Sequence, residues 1–209
     1  DDEKTLTDEL GIKTTLLDSR LRINAPAFAS TIDDFQSQQQ LETGLGTFVS
    51  NDAEVETAGV DLQLEALPLP NLTVTAGFLY MDKYEITEGP NKGSNLPFTA
   101  DLSANLAATL VFPLGDGGVY WRTDYSYMDE HSTNVAPESR LRDSDYDDRN
   151  LLNMKLGWRN HNWNLSIWGR NLTDDEYATQ TVDTFLVTGM DAYFLAEPRT
   201  YGATLRYEF

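Results

Sequence analysis

Cysteine is absent from this 209-residue chain, histidine occurs twice, and Lys and Arg number 15 against 34 Asp and Glu. Without thiols there is no disulfide framework and no Cys-ligated zinc or iron–sulfur site. A formal net charge of −19 at pH 7, with no continuous basic stripe, argues against a nucleic-acid partner, because so acidic a surface repels phosphate. No stretch reaches the roughly eighteen consecutive apolar residues of a transmembrane helix. The opening Asp1, Asp2 and Glu3 are the opposite of a basic signal-peptide start. Gly-rich phosphate loops, nucleophile elbows and Cys/His pairs are missing too. His131 and His161 stand far apart with no second His at ligand spacing, so no metal site, cofactor or catalytic residue is expected. What the chain does hold is 10 Tyr, 9 Phe, 4 Trp and 14 Gly, a composition that favours strands and tight turns.

The hydropathy pattern has a period of two. At the C-terminus Tyr201, Ala203, Leu205, Tyr207 and Phe209 alternate with Thr200, Gly202, Thr204, Arg206 and Glu208, which a strand converts into one greasy and one polar face. Equivalent alternation runs through Ile12 to Leu16, Leu21 to Asn24, Val60 to Glu65, Leu72 to Phe78, Asp101 to Leu110, Val119 to Ser126, Leu152 to Trp158 and Asn164 to Ile167. Nine strands and no helix are expected.

The connections alternate as well. Asp18-Ser19, Pro68 to Asn71, Pro113 to Gly118 and Asn160 to Asn162 are short, whereas Gln36 to Asp52, Tyr84 to Leu96, Asp129 to Asp148 and Thr173 to Pro198 are long and polar. Short turns at one end and long loops at the other are the pattern of an antiparallel transmembrane β-barrel. Pro26 is the one proline inside an alternating segment, where it is expected to force a local bulge or weaken the strand. Lys13, Arg22, Asp61, Glu65, Asp101, Arg122, Asp124, Lys155, Arg170, Arg206 and Glu208 share the polar face. Since a base turned into lipid at the midplane costs about 2–4 kcal/mol, that face is assigned to a wet lumen, with ion pairs between adjacent strands. Phe112, Trp121, Trp158, Trp163, Tyr207 and Phe209 form an aromatic rim at the short-turn end, and Tyr80, Tyr125, Tyr127 and Tyr201 the opposite one. Trp168 breaks the parity and is expected on the lumen side. The acids concentrate in the first nine residues and the long links, where groups such as Asp143, Asp145, Asp147 and Asp148, or Asp174, Asp175 and Glu176, read as solvated loops or as cation sites bridging to lipopolysaccharide. Four loop aromatics, Tyr146, Phe185, Tyr193 and Phe194, are candidate exterior-loop ligand contacts.

At this point the residues resemble a known family. Asn171-Leu172-Thr173-Asp174-Asp175-Glu176-Tyr177, then Glu197-Pro198-Arg199-Thr200-Tyr201-Gly202 through Phe209, resembles the ending of TonB-dependent outer-membrane receptors. Gly11-Ile12-Lys13-Thr14, Arg20 to Asn24, Asp33 to Gln36 and Glu56 to Leu62 resemble the family in the same order. The resemblance implies a bacterial outer-membrane location and a barrel of about 22 strands around a plug. It also implies energy-coupled uptake of a scarce nutrient, such as a ferric siderophore or vitamin, through TonB and its inner-membrane motor complex. The plug and more than half of those strands lie outside these residues, so the chain is expected to be the C-terminal arc of the barrel, with Asp1 on the loop side. Thr200, Gly202, Leu205, Tyr207 and Phe209 resemble the signal that the barrel-assembly machinery reads on last strands. Two other readings stay open: a passive porin-like or structural barrel, and a soluble β-sandwich binding module.

Overall fold

The computed structural model describes residues 2–40, 47–89, 91–132, 145–182 and 192–209, and among them there is no helix. Thirteen strands form: β1 Lys4–Leu16, β2 Leu21–Gln40, β3 Thr47–Leu69, β4 Leu72–Glu88, β5 Leu102–Leu114, β6 Gly117–Met128, β7 His131–Ser132, β8 Asp145–Tyr146, β9 Arg149–Arg159, β10 Trp163–Arg170, β11 Ala178–Val182, β12 Ala192–Leu195 and β13 Thr200–Tyr207. Nine of them build one sheet in the order β1-β2-β3-β4-β5-β6-β9-β10-β13, antiparallel throughout. The others are two small hairpins, β7–β8 and β11–β12. The nine alternating segments are thus nine neighbouring strands, as the period of two requires.

The register aligns the two faces across the whole sheet. Leu110, Trp121, Leu156, Ile167 and Ala203 follow one another from strand to strand, while Thr109, Arg122, Lys155, Trp168 and Gly202 make the neighbouring row on the opposite face. Among the described residues nothing packs on the apolar face: Leu10 is 83% and Ile12 67% exposed, with Leu106, Trp121, Ile167 and Leu205 also open. A soluble sandwich buries such a face against a second sheet, and among the described residues no second sheet covers it. The geometry differs from a sandwich: one large nine-stranded sheet with an exposed apolar face. At the short-turn end Trp163 and Tyr207 stack with centroids 4.6 Å apart, and Tyr207 meets Phe209 at 5.0 Å, which gathers part of the expected rim.

Strand lengths depart from expectation. β2 has 20 residues and β3 has 23, whereas about 9–11 suffice to cross a bilayer. Most of the expected link from Gln36 to Asp52, the stretch Tyr84 to Glu88 and the segment Lys4 to Glu9 are strand. The reason is a reversal of polarity towards the long-loop end of these strands. Lys83 on β4 pairs outward with Glu56 on β3, while Ala53, Val55 and Ile86 are buried on the lumen-side face with Ile32, Phe35 and Leu96. An irregularity at Met81 to Lys83 shifts the register of β4 by one residue, and such a bulge re-aims every following side chain. A period-two pattern whose phase flips looks like a polar link in sequence, although the ladder continues.

Pro26 causes no bulge. It sits opposite Gly11, and the β2–β3 register is the same at Asn24↔Gln63 as at Ala27↔Val60. A Cβ on Gly11 would lie 2.8 Å from the Pro26 Cα, so the glycine admits the ring while the missing N–H leaves a gap in the ladder. The β1–β2 turn takes four residues, Leu17 to Arg20, rather than the two expected, and Leu17, Asp18 and Ser19 all have positive φ, at 54°, 53° and 68°. For a leucine this costs roughly 1–2 kcal/mol. Leu17→Gly is therefore expected to raise stability by up to ~1 kcal/mol, measured by urea unfolding of the complete barrel in detergent; an unchanged midpoint would rule out strain at this turn.

Candidate functional site at the lumen wall and loop-side mouth

The charged face carries its ion pairs in two ways. Arg22 on β2 reaches Glu65 on β3 at 3.0 Å, an adjacent-strand pair as expected. Arg122 and Asp124, however, pair along the same strand, with Nε donating to Oδ2 at 2.9 Å, and Arg206 meets Glu208 at 2.9 Å in the same manner. The expectation of adjacent-strand pairing is corrected for these two. Residues two apart on a strand project from one face, so partners are available without crossing the ladder.

Trp168 stands on the lumen face, with Lys155 and Gly202 as cross-strand neighbours. Its Nε1 donates to the Thr204 hydroxyl at 3.2 Å, and the Arg170 guanidinium lies over the ring at 5.1 Å. The ring occupies the space where Gly202 lacks a side chain: a Cβ there would come within 2.1 Å of it. Beside it a hollow of about 410 Å³ is lined by Arg122, Asp124, Asn153, Lys155, Arg170 and Thr204 among others. The other members of the candidate assembly signal lie on both faces of β13, Thr200 opposite Arg170, Leu205 opposite Leu165 and Tyr207 opposite Trp163. Leu205, Tyr207 and Phe209 are exposed, and β13 is an edge of the sheet.

At the loop side the Asn171 to Tyr177 motif gains a structural role that sequence reasoning had not given it. Asn171 is 6% exposed with φ of 47°, a left-handed conformation that Asn tolerates well. Its Oδ1 accepts from the Asp175 N–H at 3.0 Å and the Thr173 hydroxyl at 3.1 Å, and its Nδ2 donates to the Asp175 carbonyl at 2.8 Å. Thr173 and Asp175 then bond the backbone of Asn150 on β9, and Asp174 pairs with Arg199 at 2.8 Å, just before β13. The motif ties the upper ends of three strands together. Two of the expected loop acids, Asp174 and Asp175, are thereby engaged in this tie; Asp143 lies outside the described residues.

The candidate cargo aromatics divide between two hairpins. Tyr146 on β8 is half-buried and meets His131 edge-on at 5.4 Å, whereas Tyr193 and Phe194 stand exposed on β12. Phe185 lies outside the described residues. Sequence reading missed Phe98, which is 61% exposed, has φ of 59° and donates its N–H to the Ser132 carbonyl at 2.7 Å. A bulky residue held at positive φ is uncommon, but no sequence signal announces it. Nearby, above the membrane level, burial and then the Asp101 carboxylate beside its hydroxyl push Tyr84 up to about 12.

Residues 1–172 match the family model of the TonB dependent receptor-like β-barrel. The chain belongs to this family. The match ends at Leu172, but solved structures extend the likeness over the rest of the receptor barrel wall. The ferric yersiniabactin uptake receptor of Yersinia pestis covers 99% of the chain at 20% identity with a TM-score of 0.82. The closed form of the ferric-catecholate import receptor of E. coli covers 99% at 21% identity and a TM-score of 0.76. The ferripyoverdine receptor of the Pseudomonas aeruginosa outer membrane does so at 14% identity and 0.72. At such identities the likeness is one of fold. The chain spans 30%, 28% and 27% of the length of these three receptors, respectively.

Proposed function

We propose that the chain is the C-terminal wall of an outer-membrane receptor that takes up a scarce nutrient, with a ferric siderophore the favoured cargo and a vitamin the next class. The observation that carries this is a nine-stranded sheet with one unpacked apolar face and one charged face in a chain of the TonB-dependent receptor family. The names of the similar structures, ferric yersiniabactin uptake, ferric-catecholate import and ferripyoverdine receptor, favour iron chelates. The remaining strands and a plug, on the same or another chain, complete the lumen, and TonB with its motor complex acts on that plug. This wall makes no bonds; it holds a rigid, hydrogen-bonded path beside outer-membrane lipid and lipopolysaccharide. Both edges of the sheet, β1 and β13, need partners, because open ladder edges are not tolerated in hydrocarbon. Thr200, Gly202, Leu205, Tyr207 and Phe209 serve assembly on the β13 edge, and Tyr193, Phe194, Tyr146 and Phe98 face cargo at the mouth, with Phe185 a further contact in this reading.

The test is uptake of radiolabelled iron supplied as a panel of ferric chelates to iron-starved cells, with and without the complete gene and with and without TonB. Uptake of at least one chelate is expected to need both. Passage that needs the gene but not TonB would instead establish a passive barrel.

A further inference from the structure

We propose that a stripe of three bases on the lumen face, Arg159, Lys155 and Arg170, is the docking surface on which acidic side chains of the plug seat. The proposal rests on the reading that a plug fills this lumen; it adds which part of the wall holds the plug and by what chemistry. Arg159 and Lys155 stand four residues apart on β9, and Lys155 is the cross-strand partner of Trp168, two residues before Arg170 on β10. The stripe therefore climbs roughly 20 Å along the wall at ~3.3 Å per residue. The chain has 15 bases against 34 acids, yet among the described residues none of these three has a carboxylate within the 4.0 Å ion-pair distance. Their neighbours Arg122 and Arg206 already hold Asp124 and Glu208, so those wall acids do not serve the stripe. On β4 and β5 the same face shows the uncharged Thr73, Thr75, Asn105 and Thr109.

The three cations are held in place without being neutralised. Tyr120 pairs with Gly157, midway between Lys155 and Arg159, and its ring centroid lies 5.9 Å from the Lys155 Nζ and 5.9 Å from the Arg159 Cζ. That ring is itself fixed: its hydroxyl donates to the Asn164 Oδ1 at 2.9 Å, and a Cβ on Gly157 would come within 2.5 Å of its Cζ. Arg170 lies over the Trp168 ring at 5.1 Å, and that ring is seated on Gly202. A ring face attracts a cation but leaves its charge unpaired. A plug packed on this wall takes water from the three heads, and a base desolvated with no partner is strongly destabilising. Carboxylates on the plug meet the need through charge-assisted hydrogen bonds, bidentate at the two arginine forks. Because the cations are already positioned, pairing orders little that was free. A stripe of this length matches a protein surface with several acids, whereas a single carboxylate reaches one cation.

The experiment is zero-length cross-linking of the complete receptor in detergent with a carbodiimide, which joins an amine to a carboxylate it touches, followed by peptide mass spectrometry. Lys155 is expected to be joined to an Asp or Glu of the plug, and the product to vanish in Lys155→Gln. The second readout is protease digestion of the plug inside the folded barrel. It is expected to run about tenfold or more faster in Lys155→Glu with Arg170→Glu, and to return towards the original rate when the cross-linked plug acid is changed to Lys. Heat-modifiable gel mobility verifies that the barrel folds; should the double variant fail, Lys155→Glu alone carries the comparison. A folded receptor whose Lys155 joins no plug carboxylate, or whose plug is digested at an unchanged rate after the charge reversal, overturns the proposal. So does protection of Lys155 by a carboxylate-bearing ferric chelate in place of a plug adduct, which would give the stripe to cargo. A barrel that holds no plug is recognised separately, by chelate passage that does not need TonB, and that outcome overturns the transport reading as well. TonB-dependent uptake without a Lys155 adduct overturns this proposal alone.

Discussion

Gly202→Leu is expected to abolish accumulation of the folded receptor in the outer membrane, the largest effect of any single substitution on β13. The cause is steric. A Cβ at this position lies 2.1 Å from Cζ2 and 2.5 Å from Cε2 of Trp168, contacts that cannot exist, and the indole is held by its bond to Thr204 and by Arg170 above it. Overpacking a constrained site costs typically 1–3 kcal/mol, with more when the ring has nowhere to go, and here the cost falls on an edge strand with a single partner, β10. Gly202→Ala is expected to show a milder loss in the heat-modifiable fraction of whole-membrane extracts. Adding Trp168→Ala to Gly202→Ala separates two causes. If sterics govern, the second change restores folding; if the assembly machinery requires the glycine itself, it does not. Wild-type levels of folded Gly202→Ala protein would show that Trp168 yields and that the contact constrains nothing.

The strands and the identity of their faces were legible because a sheet with one apolar and one charged face must alternate residue by residue, and alternation such as Tyr201 to Phe209 records it directly. Trp168 breaks the alternation as an apolar residue at a polar-face position, and the register with Lys155 and Gly202 places it on that lumen face. Towards the long-loop end the rule lapses. Val55 and Ile86 turn inward while Glu56 and Lys83 turn out, and the one-residue shift near Met81 erases the alternation that would have revealed strand continuity. The hydrogen-bonded ladder persists because backbone pairing does not depend on side-chain polarity. The mouth was least legible: Phe98 gets its exposed position from a backbone turn and a bond to Ser132, neither of which its residue type encodes. Asn171 lies between these cases. Its motif was visible as a resemblance, while its function as a tie between strands needed the geometry.

Asn171→Leu is expected to loosen the upper ends of β9, β10 and β13 together while leaving the membrane-level sheet intact. The substitution removes two well-formed bonds, to the Asp175 N–H and carbonyl, the Thr173 proton being held chiefly by the Asn150 carbonyl at 2.6 Å. At ~1 kcal/mol each this is about 2 kcal/mol, and a leucine at positive φ adds roughly 1 kcal/mol more. Asn171→Gly keeps the φ of 47° without strain and isolates the bonds, so it should fall short of leucine by that last kilocalorie. Hydrogen exchange of the complete barrel reads the difference locally. The amide of Leu172, bonded to the Leu152 carbonyl at 2.8 Å, and that of Asn150, bonded to Asp175, are expected to lose about a hundredfold of their protection, since 1.4 kcal/mol is a factor of ten. Amides in the middle of β5 and β6 should keep theirs. Protection lost evenly across all nine strands would mean that Asn171 supports global folding rather than the loop-side tie. Protection unchanged at Asn150 and Leu172 would mean that the backbone bonds there hold without it.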